Sequence, residues 1–248
     1  MLTLQTDAVT ARWSLVSCRT VYFGHRSVGS GVVAGMESLA AARSVPIRFV
    51  QSRDPRTVPS PAFVHFLVGQ HRDYASKNAD LLRILDADER ADSPVVILKY
   101  CYADSNPPVD ADRMFDAYRE TLESIRYEHP DVSVVHSTIP LTTVEGALKT
   151  AVKHVFSMST ARDQALARHR YNELLRWEFE GKEPIFDLAR VESRDADGTT
   201  VGFVARGTFV ETMAPSNTSD GAHLNERGRR LAAKTLLDVL SGVIAAER

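Results

Sequence analysis

The chain is poor in the features that mark specialised protein classes. It has two cysteines in 248 residues, Cys18 and Cys101. Two isolated cysteines build neither a disulfide framework nor a zinc site, and they read as free thiols of a reducing compartment. Neither charge sign is in excess: 30 Lys and Arg against 32 Asp and Glu leave a formal net charge of −2. That excludes a nucleic-acid partner recognised through a global basic field. No run approaches the roughly 20 apolar residues of a membrane span. The stretch 1–18 lacks the basic start and apolar core of a secretory signal, so a soluble, cytoplasmic protein is expected. No His, Asp, Glu or Cys cluster has metal-ligand spacing, and neither a metal nor a cofactor is expected.

What is present is an ordinary globular composition, 44% hydrophobic and 25% charged, in a chain long enough for one large α/β domain or two small ones. Apolar, β-branched runs alternate with helical patterns. Strands are expected over 20–23, 46–50, 94–101, 132–139 and 185–191. The run 94–101 is almost unbroken in its apolar character, as in a central strand covered on both faces. Helices are expected over 30–42, 112–127, 144–158, 162–180 and 224–246; in the second, Met114, Phe115, Tyr118, Leu122 and Ile125 share one face. Strand–helix alternation implies a parallel sheet with helices on both faces. The fold expected is one doubly wound, flavodoxin-like α/β/α domain over 1–248. A hairpin arm or insertion lies around 194–212, after the Asp197-Gly198 turn signal.

Ligands of such sheets bind at the carboxyl ends of the strands. Ser27 lies there, where an apolar run turns into a helix in Phe23-Gly24-His25-Arg26-Ser27-Val28-Gly29. Far away in sequence, Asp220-Gly221-Ala222-His223-Leu224-Asn225 precedes the last helix. A serine hydroxyl needs a base to become a nucleophile. His223 can be that base, and Asp220, three residues earlier, can orient its ring. Simpler roles compete: Ser27 as a helix cap, His223 as a surface histidine, and Asn225 as N-cap of the last helix. Gly24 and Gly29 also have the glycine spacing of a phosphate loop, with Ser30 where the lysine would stand. Gly29-Ser30-Gly31-Val32-Val33-Ala34 matches a dinucleotide turn, with Asp54 about 20 residues on.

With these residues in place, the chain resembles the SGNH/GDSL hydrolase superfamily over nearly its whole length. The closing block Asp220–Gly228 carries most of the resemblance, while Gly24-His25-Arg26-Ser27-Val28-Gly29 replaces the usual Gly-Asp-Ser-Leu. The resemblance implies a catalytic triad of Ser27, His223 and Asp220. It implies an oxyanion hole from the Ser27 N–H, a glycine matched by Gly69, and an asparagine whose block departs here to Lys99-Tyr100-Cys101-Tyr102-Ala103-Asp104-Ser105-Asn106. His71, Tyr102 or Asn106 would supply the third donor. The substrate implied is a small acyl or acetyl ester, on a carbohydrate or another polar small molecule, met by His25 and Arg26 with Gln70, His71 and Arg72. A nucleotide-binding protein using Gly29–Ala34 and a non-catalytic SGNH-like binding module are the alternatives. The 194–212 arm either covers the site or forms a homodimer contact. His129, His154, His169 and the run Arg168-His169-Arg170 read as helix surface, and Trp177 and Phe179 as core or interface residues.

Overall fold

The computed structural model describes residues 2–89, 93–144 and 160–247. The helix expected over 144–158, with His154, lies outside them but for its first residue. Six strands form one parallel sheet: β1 (Val21–His25), β2 (Phe49–Gln51), β3 (Phe63–Leu67), β4 (Val95–Leu98), β5 (Ser133–Ser137) and β6 (Ile185–Phe186), in the order β2-β3-β1-β4-β5-β6. After β1 the chain lays down strands on one side, then crosses back and continues outward from β4. The crevice outside the carboxyl ends of β1 and β4 is therefore the topological switch point, where open α/β sheets bind ligands.

Period-two alternation sorts the strand residues into two cores. Val21, Phe23, Val95, Ile97 and Val135 face one cluster, with α1 (Leu2–Ser17), α2 (Val28–Ala41) and α7 (Glu226–Ala246). Tyr22, Val64, Phe66, Val96 and Leu98 face the other, with α3 (Tyr74–Asp86), α4 (Ala111–Glu128) and α5 (Ala161–Phe179). Both faces of the central strands are covered, so their sequences read as continuous apolar runs. α2 and α7 approach so closely that a Cβ on Gly35 would lie 2.4 Å from the Arg229 carbonyl oxygen.

Several elements differ from expectation. The run 185–191 is not one strand: Asp187 accepts from the Arg190 N–H and starts the short helix α6 (Leu188–Ser193). α1, β3 and α3 form where no element was expected. Within 194–212, β7 (Gly202–Ala205) and β8 (Thr208–Glu211) pair antiparallel. Their turn is Arg206-Gly207, both at positive φ (51° and 79°), as a tight hairpin requires. No helix among the described residues is long and apolar enough to cross a membrane.

Candidate active site

Ser27 stands between the end of β1 and the start of α2 with φ 36° and ψ −91°, a strained position for a residue with a side chain. The local sequence enforces the sharp turn. The buried His25 ring lies under the first turn of α2, and a Cβ on Gly29 would come within 2.4 Å of the His25 Cβ. Only glycine lets the helix start there. The Ser27 side chain does not cap α2; its Oγ lies 3.1 Å from His223 Nε2. Nothing among the described residues accepts from the Ser27 N–H, which sits at the positive end of the helix.

His223 is held by a loop that organises itself. Its Nδ1 is 2.7 Å from Asp220 Oδ2, and its backbone N–H donates to Asp220 Oδ1 at 2.7 Å. The Ala222 N–H donates to the same oxygen at 2.9 Å. These bonds, the His223 N–H foremost, hold the Asp220 carboxyl well below the usual carboxylate range, so it stays ionised and orients the ring. Leu224 is buried beside them as an anchor. Asn225 caps α7 through the Gly228 N–H at 3.0 Å and donates to the Ser216 carbonyl. Ser27, His223 and Asp220, 196 residues apart at their extremes in the Ser27–His223 contact, thus form one chain of hydrogen-bonding groups at the switch point.

No protein-family model and no curated protein matches the chain. Solved structures do. A GDSL-like lipase from Bacteroides thetaiotaomicron superposes with TM-score 0.50 at 12% identity, over 94% of this chain and 90% of that one. A member of the lipolytic G-D-S-L family from Veillonella parvula gives TM-score 0.50 at 14% identity, over 89% and 97% of the two chains. The chain has the SGNH/GDSL-hydrolase fold.

Within this GDSL-hydrolase fold the other residues singled out from sequence are placed unequally. His25 does not line a pocket: it is 1% exposed, stacks on His65 and approaches its Nδ1 through Nε2 at 3.2 Å. Burial first, then the charge of Lys99 and its neighbours His65 and Arg26, push its pKa down to about 3, so the ring is neutral. Arg26 is turned to the scaffold, its Nε donating to the Val68 carbonyl at 2.9 Å. The Gly69 N–H, expected to face the serine, donates instead to Asp80 Oδ2 at 2.9 Å. His71 is exposed, and its ring bonds to none of the described residues. Asn106 directs its Oδ1 to Arg168. Tyr102 is the residue brought to His223: its ring stands edge-on to the imidazole, 6.3 Å between centroids. Burial raises its hydroxyl pKa above the ordinary value, which keeps it a donor. The glycines of the dinucleotide pattern lie inside α2 rather than in a phosphate turn, and Asp54 is engaged by Arg56.

Sequence reading missed the supports beneath the loops. Lys77 and Asp104 are both fully buried and bonded at 2.6 Å; Lys77 also reaches the Gln70 carbonyl, and Asp104 accepts the Cys101 N–H. This pair ties the loop after β3 to the loop after β4. Arg168, expected on a solvated face, is fully buried. It donates to the Tyr102 carbonyl, Asn106 Oδ1 and Thr142 Oγ1. Glu192, also buried, accepts the Leu141 N–H. Burial pushes Glu192 up and Lys99 down, while each supports the charge of the other. Trp177 is 80% exposed, whereas Phe179 is in the core. At the opposite edge of the sheet, Asp86, Glu128 and His129 bring three ligand-type atoms within 4.8 Å, although no spacing in the sequence announces it; His129 and Asp86 read as a surface pair at 3.0 Å.

Proposed function

We propose that the protein is a serine-dependent carboxylic-ester hydrolase. The observation that carries this reading is the continuous contact from Ser27 Oγ through His223 to Asp220, with Ser27 in a strained elbow and not serving as a cap. Ser27 attacks the ester carbonyl while His223 Nε2 takes its proton. Asp220 fixes the tautomer with Nδ1 protonated and stabilises the imidazolium. The oxyanion develops against the Ser27 N–H and the positive end of α2, with the Tyr102 hydroxyl as the side-chain donor. Gly69 joins only if its N–H leaves Asp80. His223 then returns the proton to the departing alcohol, and water, activated by the same histidine, releases the acid.

The acyl group is small, such as acetyl. Ser27 and His223 are both exposed, and the ring against His223 is that of Tyr102, so a long chain meets little apolar wall. A series of p-nitrophenyl esters tests both parts. Acetate is turned over with higher kcat/KM than octanoate, and Ser27→Ala abolishes both activities with an unchanged circular dichroism spectrum. An optimum at eight carbons or more overturns the acyl assignment; full activity of Ser27→Ala overturns the mechanism.

A further inference from the structure

We propose that a concavity beside the Asp220–His223 loop binds an anionic substituent on the alcohol portion of the ester, with Arg162 as its recognition group. This rests on the esterase reading above. The cavity has a volume of about 260 Å³, and Thr143, Val144, Arg162, Phe203, Thr212 and Met213 are among its walls. It takes one small group rather than a chain, and its walls mix apolar and polar surface in nearly equal parts, as suits a small polar group.

Its place in the fold gives the side of the ester. The Thr143 N–H donates to the Gly221 carbonyl at 2.8 Å. A Cβ on Gly221 would come within 2.5 Å of Thr143 Oγ1, so the wall of the cavity and the Asp220–His223 loop are in direct contact. In acyl transfer the base that takes the serine proton hands it to the leaving oxygen, so the alcohol departs on the side of His223. The acyl oxygen lies on the other side, under the Ser27 N–H. The cavity flanks the histidine loop and is therefore placed for the leaving group.

Its chemistry gives the charge. The Arg162 guanidinium lies 4.9 Å from the centre of the Phe203 ring. The ring holds the cation by attraction to its face and leaves the guanidinium edge hydrogens free. Among the described residues no carboxylate pairs with Arg162. Arg26, the cation nearest the serine in sequence, is by contrast turned to the Val68 carbonyl. The loop carboxylate, Asp220, is engaged by two backbone N–H groups and the His223 ring. A carboxylate or phosphate on the alcohol would meet Arg162 in the fork geometry that guanidinium offers.

The test compares (4-acetoxyphenyl)acetate with its neutral primary amide, which share one acyl group and nearly one leaving phenol. The expected kcat/KM ratio at low salt is about 10-fold in favour of the anion, the scale of one exposed charge-assisted contact. It falls toward 1 in Arg162→Ala and in high salt, is partly kept in Arg162→Lys, and activity on the neutral amide is unchanged. The same discrimination is read as binding by calorimetry on Ser27→Ala, which retains the cavity. Hydrolysis without discrimination, or discrimination that survives Arg162→Ala, overturns the subsite. Discrimination in binding with no hydrolysis of either ester by the native protein overturns the esterase reading and leaves the subsite standing.

Discussion

The two ends of the chain and its middle build the same edge of the sheet by different means. The Ser27 elbow and the Asp220–His223 loop are shaped by neighbours in sequence. Gly29 yields to His25 four residues earlier, Asp220 bonds the two N–H groups that follow it, and Asn225 caps the next helix. The loop after β4 is shaped by residues far away. Lys77 reaches Asp104 from α3, and Arg168 reaches Tyr102 and Asn106 from α5. Where short-range geometry defines a loop, its role is visible as a motif. Where buried charges from other helices define it, the motif disappears.

If that contrast is sound, the largest effect comes from the locally built part. His223→Ala lowers kcat by about 10⁴-fold or more, and the double variant with Ser27→Ala is no worse, because the triad acts as a unit. Steady-state assays on the three variants check this; additive losses would separate the two residues. Next is the distant support. Arg168→Met strips the donor from the Tyr102 carbonyl and Asn106 Oδ1 and leaves Lys99 as the remaining buried cation near Glu192; it costs about 1–3 kcal/mol of stability, measured by chemical denaturation. If Arg168→Met is neutral, the loop after β4 does not depend on its buried charge. Tyr102→Phe sharpens the comparison inside the site: removing the donor costs about 10²–10³ in kcat with little change in KM. A neutral result leaves the oxyanion to backbone donors alone.

The smallest effect concerns the floor of the elbow. His25 titrates at about 3 when folded against 6.5 for the free side chain. Between those values the unfolded chain binds the proton and the folded chain does not, so stability is full above pH 6.5 and falls as the pH drops toward 3. At pH 5 the contribution already lost is about 2 kcal/mol. His65 and His136, also depressed by burial, act in the same direction. His25→Gln removes its share, so the plot of unfolding free energy against pH between 7 and 5 is shallower than in the parent. Equal slopes would mean that the ring takes up its proton in the folded state.

The same division explains what could be read from the sequence. The central strands and the amphipathic α4 were legible because their buried residues are apolar at the right period. α3 was not, because Lys77, Asn78 and Asp80 occupy its buried face and break the apolar pattern. β3 carries His65 inside its apolar run and follows the proline-rich stretch 55–61, which masked it. The convergence of Ser27, His223 and Asp220 was legible from two short blocks. Arg168 was not, because its three partners, Tyr102, Asn106 and Thr142, lie on two separate loops and no spacing along α5 reveals them.

The central claim is that Ser27 is a nucleophile and not merely a strained turn residue. Intact-mass measurement after treatment with a fluorophosphonate tests it directly, because the reagent labels a serine only when a base activates it. One adduct per chain is predicted, located on Ser27, absent in Ser27→Ala and strongly reduced in His223→Ala. An unlabelled native protein, or an adduct that persists in Ser27→Ala, would contradict the account.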